Sequence, residues 1–382
     1  MMDPNGERQE LDRETGRDRD RDVDRSAPGL MYPDNTARPP EPELTPFTTD
    51  VPESEDLIEP KKPERSATPF QESLRRLRHD RRAMISLGVI LFFIVLAIIG
   101  PPIYQHIGGP YQSALNGTIG PSIYHTFYYE EIGRQDELPS AQYWLGTDSL
   151  GRDILARLMQ GVLVSITVAL LVEVVDIILG VLIGVLAGYY GGWIDQFLAR
   201  FTDIMFAFPG VLFLILVSGI LGNWATRTLG KIPIVGANGG GRLLLVAFAL
   251  ALTVWPLMAR YVRGQTLQLK QQQFIEAART VGSKDFRIIM RHIVPNLFSI
   301  VIIAATLNIS NTIIAEAGIS FLGLGVQAPG SSIGLMVSDG AQMIQTHPWE
   351  PLVPCVVLAV LVLAFSFLGD GIRDAFDPRR KD

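Results

Sequence analysis

Six stretches of this chain are too long and too apolar to be surface elements of a water-soluble domain. The run Ala83–Ile103 contains no charged residue, and at about 1.5 Å rise per residue it is long enough to cross a hydrocarbon core of about 30 Å. Similar runs occur at Val162–Gly188, Ile204–Gly222, Leu243–Ala259, Ile293–Ala315 and Pro351–Gly369. The expectation is an all-α membrane protein with six spans. An even number of spans puts both termini on one side.

Cationic residues indicate which side, because loops rich in Lys and Arg stay in the cytoplasm. Arg75, Arg76, Arg78, Arg81 and Arg82 precede the first span. Arg260, Arg263, Lys270, Arg279, Lys284, Arg287 and Arg291 lie between the fourth and fifth, and Arg373, Arg379, Arg380 and Lys381 follow the sixth. In a six-span arrangement these three segments share a side. The opposite side holds Glu316–Glu350, which has no Lys or Arg, and Tyr104–Leu145, which has only Arg134. Both termini and the segment between spans four and five are therefore expected in the cytoplasm. The amino terminus is polar for longer than the charged leader of a signal peptide, so the first span is expected to be its own uncleaved membrane address.

Overall, 48% of residues are hydrophobic and 19% charged, but that average hides two materials. Residues 1–66 are rich in Asp, Arg, Glu and Pro, include the run RDRDRDVDRS, and have almost no aromatic residues. Such a segment buries too little apolar surface to offset its ordering entropy and is expected to be a disordered tail. The remaining expected divisions are 67–103, lead-in and first span; 104–160, external loop and interfacial helix; 161–372, a five-helix core containing a short cytoplasmic helix at 273–285; and 373–382, a cytoplasmic tail.

Several function classes are disfavoured by what the residues offer. The net charge of −6, without a basic stripe interleaved with aromatics, argues against a nucleic-acid partner. A single cysteine, Cys355, precludes an internal disulfide and a cysteine-rich metal site. The five histidines, at 79, 106, 125, 292 and 347, do not fall at metal-ligand spacing, so no metal is expected. The closest approach to a phosphate loop is GTDSLGRD, Gly146–Asp153. There Arg152 and Asp153 stand where such a loop has Lys and Ser or Thr, and an aspartate would repel phosphate; the segment reads as a capped turn opening a helix. GANGGGR, Gly236–Arg242, reads as loop, and no G-x-S-x-G elbow is present. This chain is not expected to be an enzyme.

Span two carries Glu173 and Asp176, each costing about 2.5–3.5 kcal/mol near the bilayer centre, against fourteen Val, Leu and Ile residues between Val164 and Ile183 at about 0.3–0.6 kcal/mol each. The sums nearly cancel, so this helix belongs inside a bundle. Its acids either line a path or bind a cation, or else bond to neighbouring helices or to a partner subunit. Asn308, Ser310, Asn311 and Thr312 of span five, with Glu316 at its outer end, either line a hydrophilic path or join helix to helix; Asn308, Asn311 and Glu316 are the candidate path residues. Phe321–Val326, bounded by Pro329, either re-enters the membrane or covers the pore, or forms a simple external loop. Tyr124, Tyr128 and Tyr129 read as an interfacial belt.

The cytoplasmic stretch EAARTVGSKDFRIIMRHIVP, Glu276–Pro295, carries the most specific signal. Phe274, Ala277, Ala278 and Val281 recur at three- and four-residue spacing, which places them on one face of a short helix. Gly282 suits the left-handed residue that ends it. Ser283 then caps a second helix with Asp285 in its first turn, and Pro295 and Asn296 mark the entry to span five. By itself this pattern fits an interfacial amphipathic belt as well as a bent lever.

EAARTVG followed by HIVP resembles the EAA loop of ABC-importer permeases, although His292 and Val294 replace the usual Ile and Leu before the proline. LGTDSLGRDILARL (Leu145–Leu158), GYYGGWIDQFLARFTDIMFAFP (Gly188–Pro209), SFLGLGVQAPGSSIG (Ser320–Gly334) and LGDGIRDAFDPRRK (Leu368–Lys381) are similar, in the same order, to blocks of the C-type subunit of dipeptide, oligopeptide and nickel permeases. The likeness spans about Phe70–Lys381. It implies six transmembrane helices of the type I (MetI-like) ABC importer permease fold and a role as half of a peptide pore in the cytoplasmic (inner) membrane. The partners it implies are a second, B-type permease, two cytoplasmic ATPase subunits that hold ATP and Mg, a substrate-binding protein outside, and membrane lipid. No cofactor is expected on this chain itself. The implied ATPase contact comprises Phe274, Glu276, Ala277, Ala278, Arg279, Gly282 and Asp285. Two other readings are an ion-gradient-driven transporter using Glu173 or Asp176, and a non-transporting membrane scaffold.

Overall fold

The computed structural model describes residues 69–229 and 240–376. The expected tail at 1–66, most of the GANGGGR stretch, and Arg379, Arg380 and Lys381 lie outside the described residues. Among those described, six helices are long and apolar enough to cross a membrane, as a chain whose backbone must satisfy itself in lipid requires.

An amphipathic helix α1 (Pro69–His79) leads into α2 (Arg81–Tyr104). Asp80 caps α2, its carboxylate accepting from the Arg82 backbone N–H at 2.9 Å, which satisfies one of the four free donors at a helix start. One face of α2 buries Ile90, Phe93 and Ala97, while Phe92 and Ile98 point outward, as lipid-facing residues do. A hairpin of β1 (Tyr111–Ser113) and β2 (Gly117–Ile119) pairs antiparallel with Tyr111 opposite Ile119. The short α3 (Pro121–Tyr124) follows.

Next comes α4 (Ile154–Tyr190). It starts eight residues before the expected span, because the Asp153 carboxylate accepts from both Leu155 N and Ala156 N and so fixes the first turn there. The expected division between an interfacial helix and the core at 160/161 therefore falls inside one continuous helix. The chain then turns into α5 (Gly192–Ala207) and α6 (Gly210–Thr228). This corrects the expected third span: Ile204–Ala207 belong to α5, and the span is α6. Pro209 is the reason, since proline pushes the preceding residue out of helical backbone, and Phe208 sits extended at φ −70°, ψ 127°. Ion pairs of Asp195 with Arg263 and Asp203 with Arg260, both with contacts of 2.8 Å, hold α5 against α7 (Gly240–Lys270).

The tightest helix pair is α4 with α7. Gly180, Gly184 and Gly188 form a stripe at four-residue spacing along α4. A methyl group added at each would lie 2.4 Å from Met258 Cγ, 2.6 Å from the Ala259 carbonyl and 2.7 Å from Thr266 Cβ. Small residues at this spacing let two membrane helices approach backbone to backbone.

Beyond α7 lie α8 (Gln273–Thr280), α9 (Asp285–Ile288), a π-turn (Ile289–Ile293), α10 (Val294–Phe321), α11 (Ile333–Ala341) and α12 (Trp349–Phe376). Three apolar clusters close the bundle. One joins α2, α4, α10, α11 and α12 through residues such as Phe93, Ile166, Ile313, Ile333 and Leu361. A second joins α4, α6, α7 and the chain after α10, where Leu324 and Val326 fold back against Val168 and Leu250. The Ser218 hydroxyl fastens this segment by donating to the Leu324 carbonyl. The third lies where α4 and α7 meet α8, α9 and the start of α10.

Candidate functional site

The segment between α7 and α10 is a bent structure with one face buried and one free. Its bend is a full helix stop. Ser283 N–H donates to the Ala278 carbonyl at 3.1 Å and Gly282 N–H to the Arg279 carbonyl at 2.8 Å, the paired bonds of a glycine-terminated helix. Gly282 adopts φ +84°. The residue capping α9 is Lys284 rather than Ser283, and it caps through extended backbone without a side-chain bond. The Ser283 backbone is used in closing α8, which moves the cap on by one.

The apolar side chains fall into two stripes. Ile275 is wholly buried and Ala278 is partly buried beside it, together with Ile288, Ile289 and Ile293, against Val185, Tyr189, Met258 and Val262 of α4 and α7. Phe274 and Ala277 form the other stripe with Val281, which is 86% exposed, and Phe286 extends it at 74% exposure. The expected shared face thus exists for Phe274, Ala277 and Val281 but points away from the bundle, while Ala278 packs inward. Glu276 is exposed in the first turn of α8, where an acid suits the helix dipole.

Tyr189, in the last turn of α4, ties the segment down. Its hydroxyl donates to Asp285 Oδ1 at 2.7 Å, the Arg279 guanidinium lies over its ring at 5.3 Å, and Lys270 Nζ lies 5.8 Å from the ring centre. Helices α4, α7, α8 and α9 therefore meet on one side chain. Neither Tyr189 nor Ile275 was singled out from sequence. The available signals were an aromatic pair at the end of a span, in GYYGG, and a second apolar stripe, 275 and 278, beside the first.

Downstream, α9 passes into α10 without a break in helical path, through the π-turn. Pro295 has no N–H to give to the carbonyl four residues back. The backbone widens instead, Val294 N–H bonding to the Ile289 carbonyl, and Asn296 Nδ2 donates to the His292 carbonyl at 2.5 Å. The segment and α10 thus share one continuous helical path.

Asn308 and Asn311 of α10 face a cavity of about 370 Å³ that Asp176, Met258, Tyr261 and Arg373 also line. Asn308 Nδ2 donates to Glu173 Oε2 at 3.1 Å, so one of the α4 acids bonds helix to helix while the other faces the cavity. Glu316 is elsewhere. It is buried between helices, accepting from Ser165 and Ser320 hydroxyls, each at 2.7 Å. The helix runs on to Phe321, so Glu316 is interior to α10 and not at its end. Tyr124 likewise leaves the expected aromatic belt: it is buried among Tyr111, His125 and Tyr143, whereas Tyr128 remains exposed.

The site therefore joins a mostly apolar cavity among the long helices, into which Asp176, Asn308, Asn311 and Arg373 bring polar groups, to a bent segment with an exposed apolar face. Comparison with known proteins places the chain in a transport family. The family described as binding-protein-dependent transport system inner membrane component matches residues 180–382, and that described as the N-terminal TM domain of oligopeptide transport permease C matches residues 68–116. The chain is 38% identical over 320 residues to the glutathione transport system permease protein GsiD of Salmonella typhimurium, covering 84% of this chain and 94% of the relative. It is 33% identical over 354 residues to the dipeptide transport system permease protein DppC of Alkalihalophilus pseudofirmus, covering 92% and 97%. Among solved structures, an inward-facing MetNI methionine ABC transporter chain aligns at 20% identity and a TM-score of 0.44, over 57% of this chain and 95% of that one. The chain belongs to the family of binding-protein-dependent inner membrane transport components, in its C-type peptide branch. It is a multi-pass permease subunit of an ABC importer in the peptide and glutathione group, not an enzyme, and that family implies ATPase subunits and a second permease as partners.

Proposed function

We propose that this chain forms half of the path of an ATP-driven importer of short peptides, and that α8 docks on a cytoplasmic ATPase subunit. The observation that carries the reading is the split of α8 into a buried stripe, anchored by Ile275, and a free apolar stripe of Phe274, Ala277 and Val281. Apolar surface of this kind gains by burial against a partner, with Glu276 and Arg279 as flanking polar contacts. The cationic segments at both ends and between α7 and α10 favour placing α8 and both termini in the cytoplasm. ATP and Mg are then held by the partner subunits, and an external binding protein delivers the substrate.

Closure of an ATPase pair would shift α8. Because Ile275, Ile288 and Ile293 are packed into the ends of α4 and α7, the movement passes through the π-turn to α10. Asn308 lies fourteen residues along that helix, about 21 Å at about 1.5 Å per residue. The cavity walls thereby switch between two states. Asp176 and Arg373 both line the cavity, a pairing suited to the amino and carboxylate ends of a short peptide. The names of the two relatives speak for a dipeptide and for the tripeptide glutathione.

The test is to reconstitute the chain with its partner permease and ATPase subunits and to measure ATPase retention and peptide-stimulated hydrolysis. Val281→Asp and Phe274→Asp are expected to release the ATPase while the chain still inserts. Retention of the ATPase with unchanged stimulation in both variants would overturn the docking assignment. A panel of dipeptides, oligopeptides, glutathione and nickel chelates in the same assay identifies the substrate, and hydrolysis raised only by non-peptide solutes would overturn the substrate class.

A further inference from the structure

On the opposite side of the bundle from α8, the loop after α3 meets the start of α12 where Asp136 reaches His347 and Glu350, two residues three apart in sequence. One ligand atom each from Asp136, His347 and Glu350 lies within 4.8 Å of the others. Glu350 is only 4% exposed. Asp136 Oδ1, His347 Nδ1 and Glu350 Oε1 are all buried without a hydrogen-bond partner. A buried, ionised carboxylate lacking both donor and counter-charge is costly, so two of them converging on a bare imidazole nitrogen need a common partner.

The neighbouring cations do not meet that need. Arg152 binds Asp148 at 2.8 Å and Asp339 at 3.1 Å, and Arg157 binds Asp339 at 2.8 Å and also pairs with Asp148. Arg152 also lies 4.0 Å from Glu130, so the two guanidiniums are already matched by Asp148, Asp339 and Glu130. Asp136 and Glu350 are left over, two facing carboxyls whose ionised forms one divalent ion would neutralise. Backbone bonds fix both sides of the cluster: Asp136 N–H donates to the Asp148 carbonyl at 3.1 Å, and Glu350 N–H to the His347 carbonyl at 3.2 Å. Asp136 is held at φ +56°, the only non-glycine residue at positive φ among the described residues.

We infer that Asp136, His347 and Glu350 form a divalent transition-metal site that clamps the 134–148 loop to the start of α12. One imidazole and two carboxylates are a ligand set for zinc or a similar borderline ion rather than for calcium, which takes six to eight oxygens. Zinc bonds of about 2.0–2.2 Å require the three atoms to draw in from their present spacing, a movement within reach of side-chain rotation.

The test uses the full chain in detergent, with any polyhistidine tag cleaved and metal stripped with chelator. Zinc is then titrated, with bound metal measured by mass spectrometry and the melting temperature followed in parallel. The expected result is one zinc per chain and a higher melting temperature on zinc addition, with calcium giving neither. Asp136→Asn, His347→Ala and Glu350→Gln should each weaken zinc binding by about tenfold or more and abolish the zinc-dependent rise in melting. Asp136→Asn, on the loop and only half-buried, keeps the test decisive should a variant at Glu350 fail to fold. Stoichiometric zinc that survives in the Asp136→Asn and His347→Ala variants would overturn the assignment. So would wild-type chain that takes up no zinc, in which case the two carboxylates share a proton instead.

Discussion

The hydroxyl of Tyr189 donates to Asp285 Oδ1 at 2.7 Å, joining the last turn of α4 to the first turn of α9 across ninety-six residues of sequence. The bond lies beside the Arg279 guanidinium stacked on the same ring, so one side chain holds both halves of the bent segment. Tyr189→Phe keeps the ring and the stacking but removes the bond. A hydrogen bond to a charged acceptor contributes about 1.5–3 kcal/mol, and the exposure of Asp285 to solvent argues for the low end. The expected outcome is normal insertion and ATPase binding, with peptide-stimulated ATP hydrolysis reduced severalfold. Wild-type stimulation would show that the bond does not transmit movement.

Gly282 isolates a different property of the same segment. A methyl group there would meet nothing within 4 Å, yet the residue sits at φ +84°, where a non-glycine side chain costs about 1–2 kcal/mol. Gly282→Val should therefore disturb the bend without a steric clash, lowering uptake while membrane levels of the protein stay normal. Gly282→Asn, which tolerates this backbone region better, should retain more uptake than Val. Equal uptake by wild type and Gly282→Val in the expressed complex would remove the bend from the mechanism.

How far the sequence was legible follows from which interactions are local. Apolar length located the six spans, and the glycine stop after α8 could be read because its backbone conformation is set by the residue that occupies it. The start of α6 was misplaced because Ile204–Phe208 continue an apolar run, and hydropathy outvoted the break that Pro209 imposes. Which stripe of α8 faces inward was not legible at all. Ile275 and Val281 have similar chemistry, and only the placement of α4 and α7 makes one buried and the other free. Which of its two readings Glu316 takes was hidden for the same reason, since its partner Ser165 is 151 residues away. In the cluster of Asp136, His347 and Glu350, the last two stand three residues apart, but only tertiary folding brings Asp136 to them.

The glycine stripe of α4 makes a prediction that depends on contact rather than on backbone freedom. A methyl group at Gly184 would lie 2.6 Å from the Ala259 carbonyl and 2.7 Å from Val262 Cβ, neither of which can move aside without shifting α7. Gly184→Ala should destabilise the bundle by about 1–3 kcal/mol, the range for overpacking. At Gly219 in α6 a methyl group meets nothing within 4 Å, so Gly219→Ala should leave stability unchanged or slightly raised. Thermal melting of the two variants in detergent compares them directly, and equal stability would show that α4 and α7 do not pack as described.

Asp195 supplies the pH dependence. Hydrogen bonds from Arg263, reinforced by its charge, hold this carboxyl below the usual aspartate range, with partial burial opposing the shift. A carboxylate whose folded pKa is depressed binds fewer protons in the folded state. Its contribution to stability is therefore complete above the unfolded value of about 3.9 and is lost as pH falls through the lower folded value. Asp195→Asn should accordingly be less stable than wild type by a constant margin from neutral pH down to about pH 5, because over that range Asp195 is charged in both states. In stronger acid the margin should shrink and vanish, as wild type gains the proton it had excluded. Denaturation of the two proteins across pH 3 to 7 reads this directly. A margin that widened toward acid would mean that Asp195 is stabilised by its protonated form, and that Arg263 does not anchor α5 through charge.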